Sequence, residues 1–136
     1  MLRPDQSRKV PQHILEQARE SLNELLHTVN GVDFVMLCSS DGFELVLATK
    51  KNLVNTGKIA AVSSSILAMV SAFISEIHLS GCNLITLDAE NGKVILASVD
   101  HPNYPMVIVA QASKDVLIGQ LSFYIKKVAE NIVQQI

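Results

Sequence analysis

The stretch IAAVSSSILAMVSAFI, residues 59–74, decides how the rest of the chain is read. With Ser75 it runs seventeen residues without a charge, in a chain of 136. A bilayer crossing needs about 20 mainly apolar residues. This run is shorter, and the wider segment 57–79 contains five serines and includes Glu76 and His78. On a helical wheel its two faces differ. Ile59, Val62, Ile66, Leu67, Met69, Val70, Phe73, Ile74 and Ile77 fill one broad arc. Gly57, Ala60, Ala61, Ser64, Ala68, Ser71, Ala72 and Ser75 fill most of the other. Lipid does not demand that division. A soluble helix does, with its bulky arc on a sheet and its small-residue arc toward another backbone. The segment is therefore expected to be a helix of a soluble fold, with no membrane insertion.

Upstream of it stand VDFVMLC (32–38), SSDG (39–42) and FELVLA (43–48). Asp41-Gly42 between two apolar runs signals a hairpin, because Gly accepts the positive φ of a tight turn. The loop TKKNLVNTG (49–57) leads into the helix, with Asn55 or Thr56 as its cap. Downstream, SGC (80–82) ends the helix and CNLITLDA (82–89) opens a strand. Glu90-Asn91-Gly92 turns into KVILASV (93–99), and DHPNYP (100–105) connects to MVIVAQA (106–112). Ser113 is a good N-cap for a last helix, with Asp115 favoured in its first turn. Val116, Leu117, Leu121, Ile125, Val128, Ile132 and Val133 are expected to face inward. PQHILEQARESLNELLHTVN (11–30) reads as an amphipathic helix, from Pro11 to Asn30-Gly31. The strands are near-continuous apolar runs, which suits burial on both faces. The predicted class is α+β, in the order α-ββ-α-βββ-α. A five-stranded, mainly antiparallel sheet carries the central helix on one face and the two terminal helices on the other. Residues 1–10 are expected to be a flexible arm and 11–136 a single domain.

Composition narrows the function. Charged residues make up 18% of the chain, against roughly 25% usually, and apolar residues 49%. Mean hydropathy is positive. A small domain of this kind hides surface in a partner. The net charge of −2 offers no field to attract nucleic acid, and Lys50-Lys51 and Lys126-Lys127 are the only lysine pairs. Cys38 and Cys82 are too few for a disulfide framework or a structural zinc site. Both sit in apolar runs and read as reduced core cysteines of a cytosolic protein. The N-terminus lacks the apolar core of a signal peptide.

No catalytic constellation emerges. There is no GxxxxGK[ST], HExxH or CxxC, and His13, His27, His78 and His101 fall on different elements. Ser39, Ser40 and Asp41 read as turn residues, since a triad needs a histidine base and an oxyanion site. Asp88 and Glu90 flank a turn. The HPNYP loop, with Tyr104 expected exposed, reads as a rigid hairpin, a recognition loop being the alternative. The expectation is no enzyme, no cofactor and no metal.

Taken together, VDFVMLCSSDGFELVLA, the Ala/Ser-rich central helix, LITLDAENGKVILASV and MVIVAQASKDVLIGQLSFYIKKVAENI resemble a roadblock-family domain of the dynein light chain type, over about residues 10–135. The likeness is greatest to stand-alone bacterial members that work with Ras-like GTPases. It implies a homodimer in which strand 82–89 pairs with its copy and the central helices lie side by side. The implied interface residues are Ala60, Ser64, Ala68, Ser71, Ala72, Ser75, Cys82, Leu84 and Thr86. The implied partners are a second copy and a small Ras-like GTPase. A tightly packed monomer core is the other reading of the small-residue stripe. The chain has only Arg3, Arg8 and Arg19, all in the N-terminal arm or first helix, so any stimulation of a GTPase is expected to come from holding its switch loops in position rather than from an arginine supplied in trans by the core. Two other functions stay open at this point: a small-ligand sensory domain, and a structural subunit of a motor or secretion complex.

Overall fold

The computed structural model describes residues 9–136. The expected arm lies, for residues 1–8, outside the described residues. Lys9 is exposed, and Val10 already packs in the core. The elements are α1 (Gln12–Thr28), β1 (Val32–Ser39), β2 (Glu44–Thr49), α2 (Thr56–Glu76), β3 (Leu84–Ala89), β4 (Gly92–Val99), β5 (Met106–Ala112) and α3 (Ile118–Val133). The sheet order is β2-β1-β5-β4-β3, and every neighbouring pair is antiparallel. The element between β2 and β3 is α2, which therefore connects the two edges of the sheet. This is the predicted α+β architecture.

The alternation of side chains along a strand divides the core in two. Val35 and Leu37 of β1, Ile95 of β4 and Ile108 of β5 point to one face, where α1 and α3 supply Leu22, Leu25, Leu121 and Ile125. Phe34, Met36 and Cys38 of β1, Leu96 of β4 and Val109 of β5 point to the other, under Ala60 of α2. Both faces of β1 and β5 are covered, which explains their unbroken apolar runs. β3 departs from that expectation. It is an edge strand, half-buried at Leu84 and Ile85 and exposed from Thr86 onward.

The β1–β2 turn forms where Asp41-Gly42 predicts it. Gly42 has φ +97°, and its N–H donates to the Ser39 carbonyl at 3.0 Å. A Cβ there would also come within 3.2 Å of the Ala61 Cα, so the hairpin tip touches α2.

Four local expectations are corrected, the first being that Leu117, expected to face inward, is 70% exposed at the N-cap of α3. Asn55 does occupy the N-cap of α2, but in the left-handed region at φ 59° and without a side-chain cap bond. Ser113 does not cap α3. Its N–H is held by the Gly31 carbonyl at 2.8 Å, a turn back to its own carbonyl follows, and the helix starts five residues later behind Leu117. Tyr104 is half-buried against the core beside the His101 ring, whereas the loop proline pattern suggested an exposed side chain.

Candidate functional site

The orientation of α2 differs from the wheel reading, and that difference creates the site. Its buried residues are Ala60, Ser63, Ser64 and Leu67, with Ile59, Ile66, Val70 and Ile74 half-buried. The small residues Ala60 and Ser64 thus lie against the chain's own sheet. In their place, Val62, Met69, Phe73 and Ile77 stand in solvent, Met69 being 65% and Phe73 62% exposed. The reason is steric and polar together. Ala60 lets the helix approach the sheet over Phe34 and Met36. The Ser64 hydroxyl finds a backbone acceptor there, the Ser39 carbonyl at 3.1 Å. The bulky arc is much wider than the roughly 100° stripe that one core contact covers. Half of it is therefore left over, and this width was the available signal for Val62, Met69 and Phe73.

By length and composition alone α2 is apolar enough to cross a membrane. In the fold it closes one face of the sheet instead, through contacts with β1, β2, β4 and β5.

Grooves flank α2 on both sides. One, of about 390 Å³, runs along its N-terminal half and is walled by Ile59, Val62 and Ile66 of the helix and by Leu87, Val94 and Leu96 of the sheet. It is apolar, and it opens toward β3. Leu87 is itself 40% exposed on that strand. The outer edge of β3 pairs with no other strand among the described residues. The second, a cleft of about 300 Å³ on the C-terminal half, holds Ser40, Ser71, Cys82, Ser98 and Asp100. Its polar groups are serine hydroxyls, the Cys82 thiol and the Asp100 carboxylate, and no histidine lines it.

The predicted interface residues divide. Ala68, Ser71, Ala72 and Ser75 are exposed on α2, Cys82 and Leu84 are half-buried, and Thr86 is exposed on the β3 edge. Ala60 and Ser64 are buried beneath the helix, so their route to any partner passes through the helix itself. The cysteines divide too. Burial, reinforced by the carboxylate of Glu44, pushes the Cys38 thiol up to about 12, so it stays protonated and acts as a core side chain. Cys82 is only half-buried, beside the second cleft. No group of three metal-ligating residues occurs among the described residues. Arg19 lies exposed on α1, on the sheet face opposite α2; Arg3 and Arg8 fall outside the described residues. His78 is exposed just past the end of α2, at φ 64°.

Solved structures with this arrangement exist. The chain is similar to Myxococcus xanthus MglB at 13% identity, with a TM-score of 0.81 over 92% of this chain and 91% of that one. It is equally similar to the gliding protein MglB of Thermus thermophilus, at 14% identity and a TM-score of 0.81, covering 92% of each chain. A structure described as MglB with tetrameric arrangement matches at 16% identity and 0.81, over 92% of this chain and 91% of that one. Identities this low establish a shared fold. No curated protein matches the chain in sequence. Residues 19–111, spanning α1 to β5, match the Roadblock/LC7 domain. The chain belongs to the Roadblock/LC7 family.

Proposed function

We propose that this protein is a non-enzymatic, homodimeric scaffold that regulates a small Ras-like GTPase. The observation that carries the reading is the continuity of three uncovered features: the apolar groove beside the N-terminal half of α2, the exposed Met69 and Phe73 on its C-terminal half, and the unpaired edge of β3. Free edge strands attract further strands. A two-fold axis beside β3 would pair it antiparallel with its copy. The same axis runs the two α2 helices antiparallel, so that the apolar side chains of one meet the groove of the other. A groove at one end of a helix and projections at the other are what a self-complementary interface requires. Ala68, Ser71, Ala72 and Ser75 then border the paired helices and offer a surface that another backbone can approach closely.

The GTPase partner rests on family membership and on the likeness to stand-alone bacterial roadblock proteins. Arg19, the one arginine among the described residues, sits behind the sheet as seen from α2. Regulation from the α2 face would therefore work by holding the switch loops of the GTPase, without an arginine from the described core.

The test is size-exclusion chromatography with light scattering, on wild type beside Ala68→Arg, followed by capture of a Ras-like GTPase loaded with GDP or a GTP analogue. The expected wild-type mass is twice 14.8 kDa. Ala68→Arg should lose the dimer or the GTPase. A monomeric wild type, or a variant that keeps both, overturns the reading.

A further inference from the structure

Residues 63–65 are three successive serines on α2, and their hydroxyls end in different surroundings. Ser64 donates to the Ser39 carbonyl, and Ser65 to the Ala61 carbonyl one turn back at 3.0 Å. Ser63 is 5% exposed and has no hydrogen-bond partner among the described residues. A buried hydroxyl left without a partner destabilises a fold, and native folds seldom keep one without a use. Ser63 lines the apolar groove along the N-terminal half of α2. Ile59 and Ile66, one turn to either side of it, are apolar, and so are Phe34 and Leu96 on the sheet wall. A bridging water needs two or more polar partners, and this stretch of wall offers Ser63 alone.

The mouth of the groove has the opposite character. Asn55 and Lys58 border it, and α2 starts there. The first turn of α2 holds no acidic side chain, and Asn55 makes no side-chain cap bond. The N–H groups of Thr56 and Gly57 meet no acceptor among the described residues. These groups carry the positive end of the helix dipole. Lys58 forms no ion pair among the described residues, and no carboxylate lines the groove. Asp33, which Gln111 of the groove wall reaches at 3.4 Å, is paired with Lys51 at 3.3 Å. The groove thus offers an anion site at one end, an apolar trough, and one hydroxyl inside the trough.

We propose that this groove holds a medium-chain fatty acid with one oxygen substituent on its chain. The carboxylate meets Lys58 and the N–H groups of Thr56 and Gly57. The chain lies over Ile59 and Val62, its oxygen pairs with Ser63, and its end reaches Ile66 and Leu87. From Gly57 to Ser63 the helix rises about 9 Å. An extended carbon chain, with bonds of about 1.5 Å, covers that length in about seven bonds, so the substituent belongs near the eighth carbon. At about 390 Å³ the groove is at the small end of ligand sites, with room for one chain. It is also where the proposed dimer seats Met69 and Phe73 of the second copy. The acid therefore displaces the copy. That consequence rests on the dimer reading, whereas the binding does not.

The test is titration calorimetry of the full chain with decanoate hydroxylated at its eighth carbon. Plain decanoate, the methyl ester of the hydroxy acid, and decyltrimethylammonium are titrated beside it, and light scattering on the same samples reports the mass. The hydroxy acid should bind one per chain. Decanoate and the ester should each bind about fivefold more weakly or worse, having lost a hydrogen bond or the charge, and the ammonium should not bind. Ser63→Ala should raise the urea midpoint of the ligand-free protein and bind decanoate and the hydroxy acid alike. Lys58→Glu, an exposed change, should weaken both acids without moving that midpoint. Absence of saturable binding overturns the proposal, as does equal binding of all four amphiphiles, or a Ser63→Ala protein that still prefers the hydroxy acid. The mass should fall from two chains to one as the hydroxy acid saturates. Saturation at an unchanged two-chain mass overturns the displacement, and a single-chain mass before any ligand overturns the dimer reading while the binding result stands.

Discussion

The hydroxyl of Ser64, on the sheet side of α2, donates a 3.1 Å hydrogen bond to the carbonyl oxygen of Ser39 at the end of β1. Both residues are buried. The bond fixes the rotation of α2 about its own axis, and with it the exposure of Val62, Met69 and Phe73. The Ser39 carbonyl also accepts the Gly42 N–H, so it is not orphaned if Ser64 is removed. Ser64→Ala should therefore cost about 1 kcal/mol, the net worth of one hydrogen bond, read as a shift in the urea midpoint. The solution mass should not change. A change in mass without a change in stability would place Ser64 in a contact between copies instead.

Phe73 makes the opposite case. It is 62% exposed, so the isolated fold does not need it. If it fills the groove of a second copy, Phe73→Asp should reduce the mass to one chain. Binding a partner stabilises the folded state in proportion to the logarithm of its concentration. The wild-type melting temperature should therefore rise with protein concentration, and that of Phe73→Asp should not. Phe73→Leu, still apolar, should keep most of the association. Light scattering and thermal melts over a concentration series check both, and a dimeric Phe73→Asp would rule out this use of the side chain.

Most of the fold was legible because its signals are local. Asp41-Gly42 marks a turn whatever lies around it, and runs of apolar residues mark strands by their length and breaks. The orientation of α2 was not legible in the same way. Size alone suggested that its bulky arc faces the sheet. What decides the matter is a distant acceptor, the Ser39 carbonyl, and the packing of Ala60 against Phe34 and Met36. Neither is visible in residues 59–74. Ser113 failed as a cap for a similar reason: a long-range bond to Gly31 holds its backbone. The β3 edge was legible only through the family resemblance, since LITLDA reads like any other strand.

Asp88 at the end of β3 gives a pH signature. A hydrogen bond from Lys93 at 3.0 Å, the Lys93 charge, and Lys114 at 3.9 Å hold its carboxyl below the usual range. A carboxyl lowered in the folded state contributes stability that is fully present above its unfolded value, near pH 4, and that disappears as pH falls through the folded value. Asp88→Asn should thus melt slightly below wild type at neutral pH, and the two curves should meet in acid. High salt should also close the gap, because the group is exposed. A difference that persists at the lowest pH would mean that the substitution acts through something other than this charge.

The imidazole of His101 joins two backbone amides of the β4–β5 loop to the chain just past α3. Its Nδ1 accepts the backbone N–H groups of Asn103 at 3.1 Å and Tyr104 at 3.2 Å, while its Nε2 lies 2.6 Å from the Gln135 carbonyl. Two donors on Nδ1 require the ring hydrogen on Nε2, which then donates to Gln135. The residue is buried, so its loss leaves two donors and an acceptor short of partners. His101→Ala should cost about 3 kcal/mol, given about 1 kcal/mol or more for each bond lost. Asparagine can still accept a backbone N–H two residues on, as Asx turns do, but it is too short to reach α3. His101→Asn should therefore recover about half of the loss in urea unfolding. In both variants the amides of Gln134 and Gln135 should exchange faster, since the last turn of α3 is no longer tied to the loop. Equal destabilisation by the two substitutions would mean that the tie to Gln135 carries the whole effect and the turn none of it.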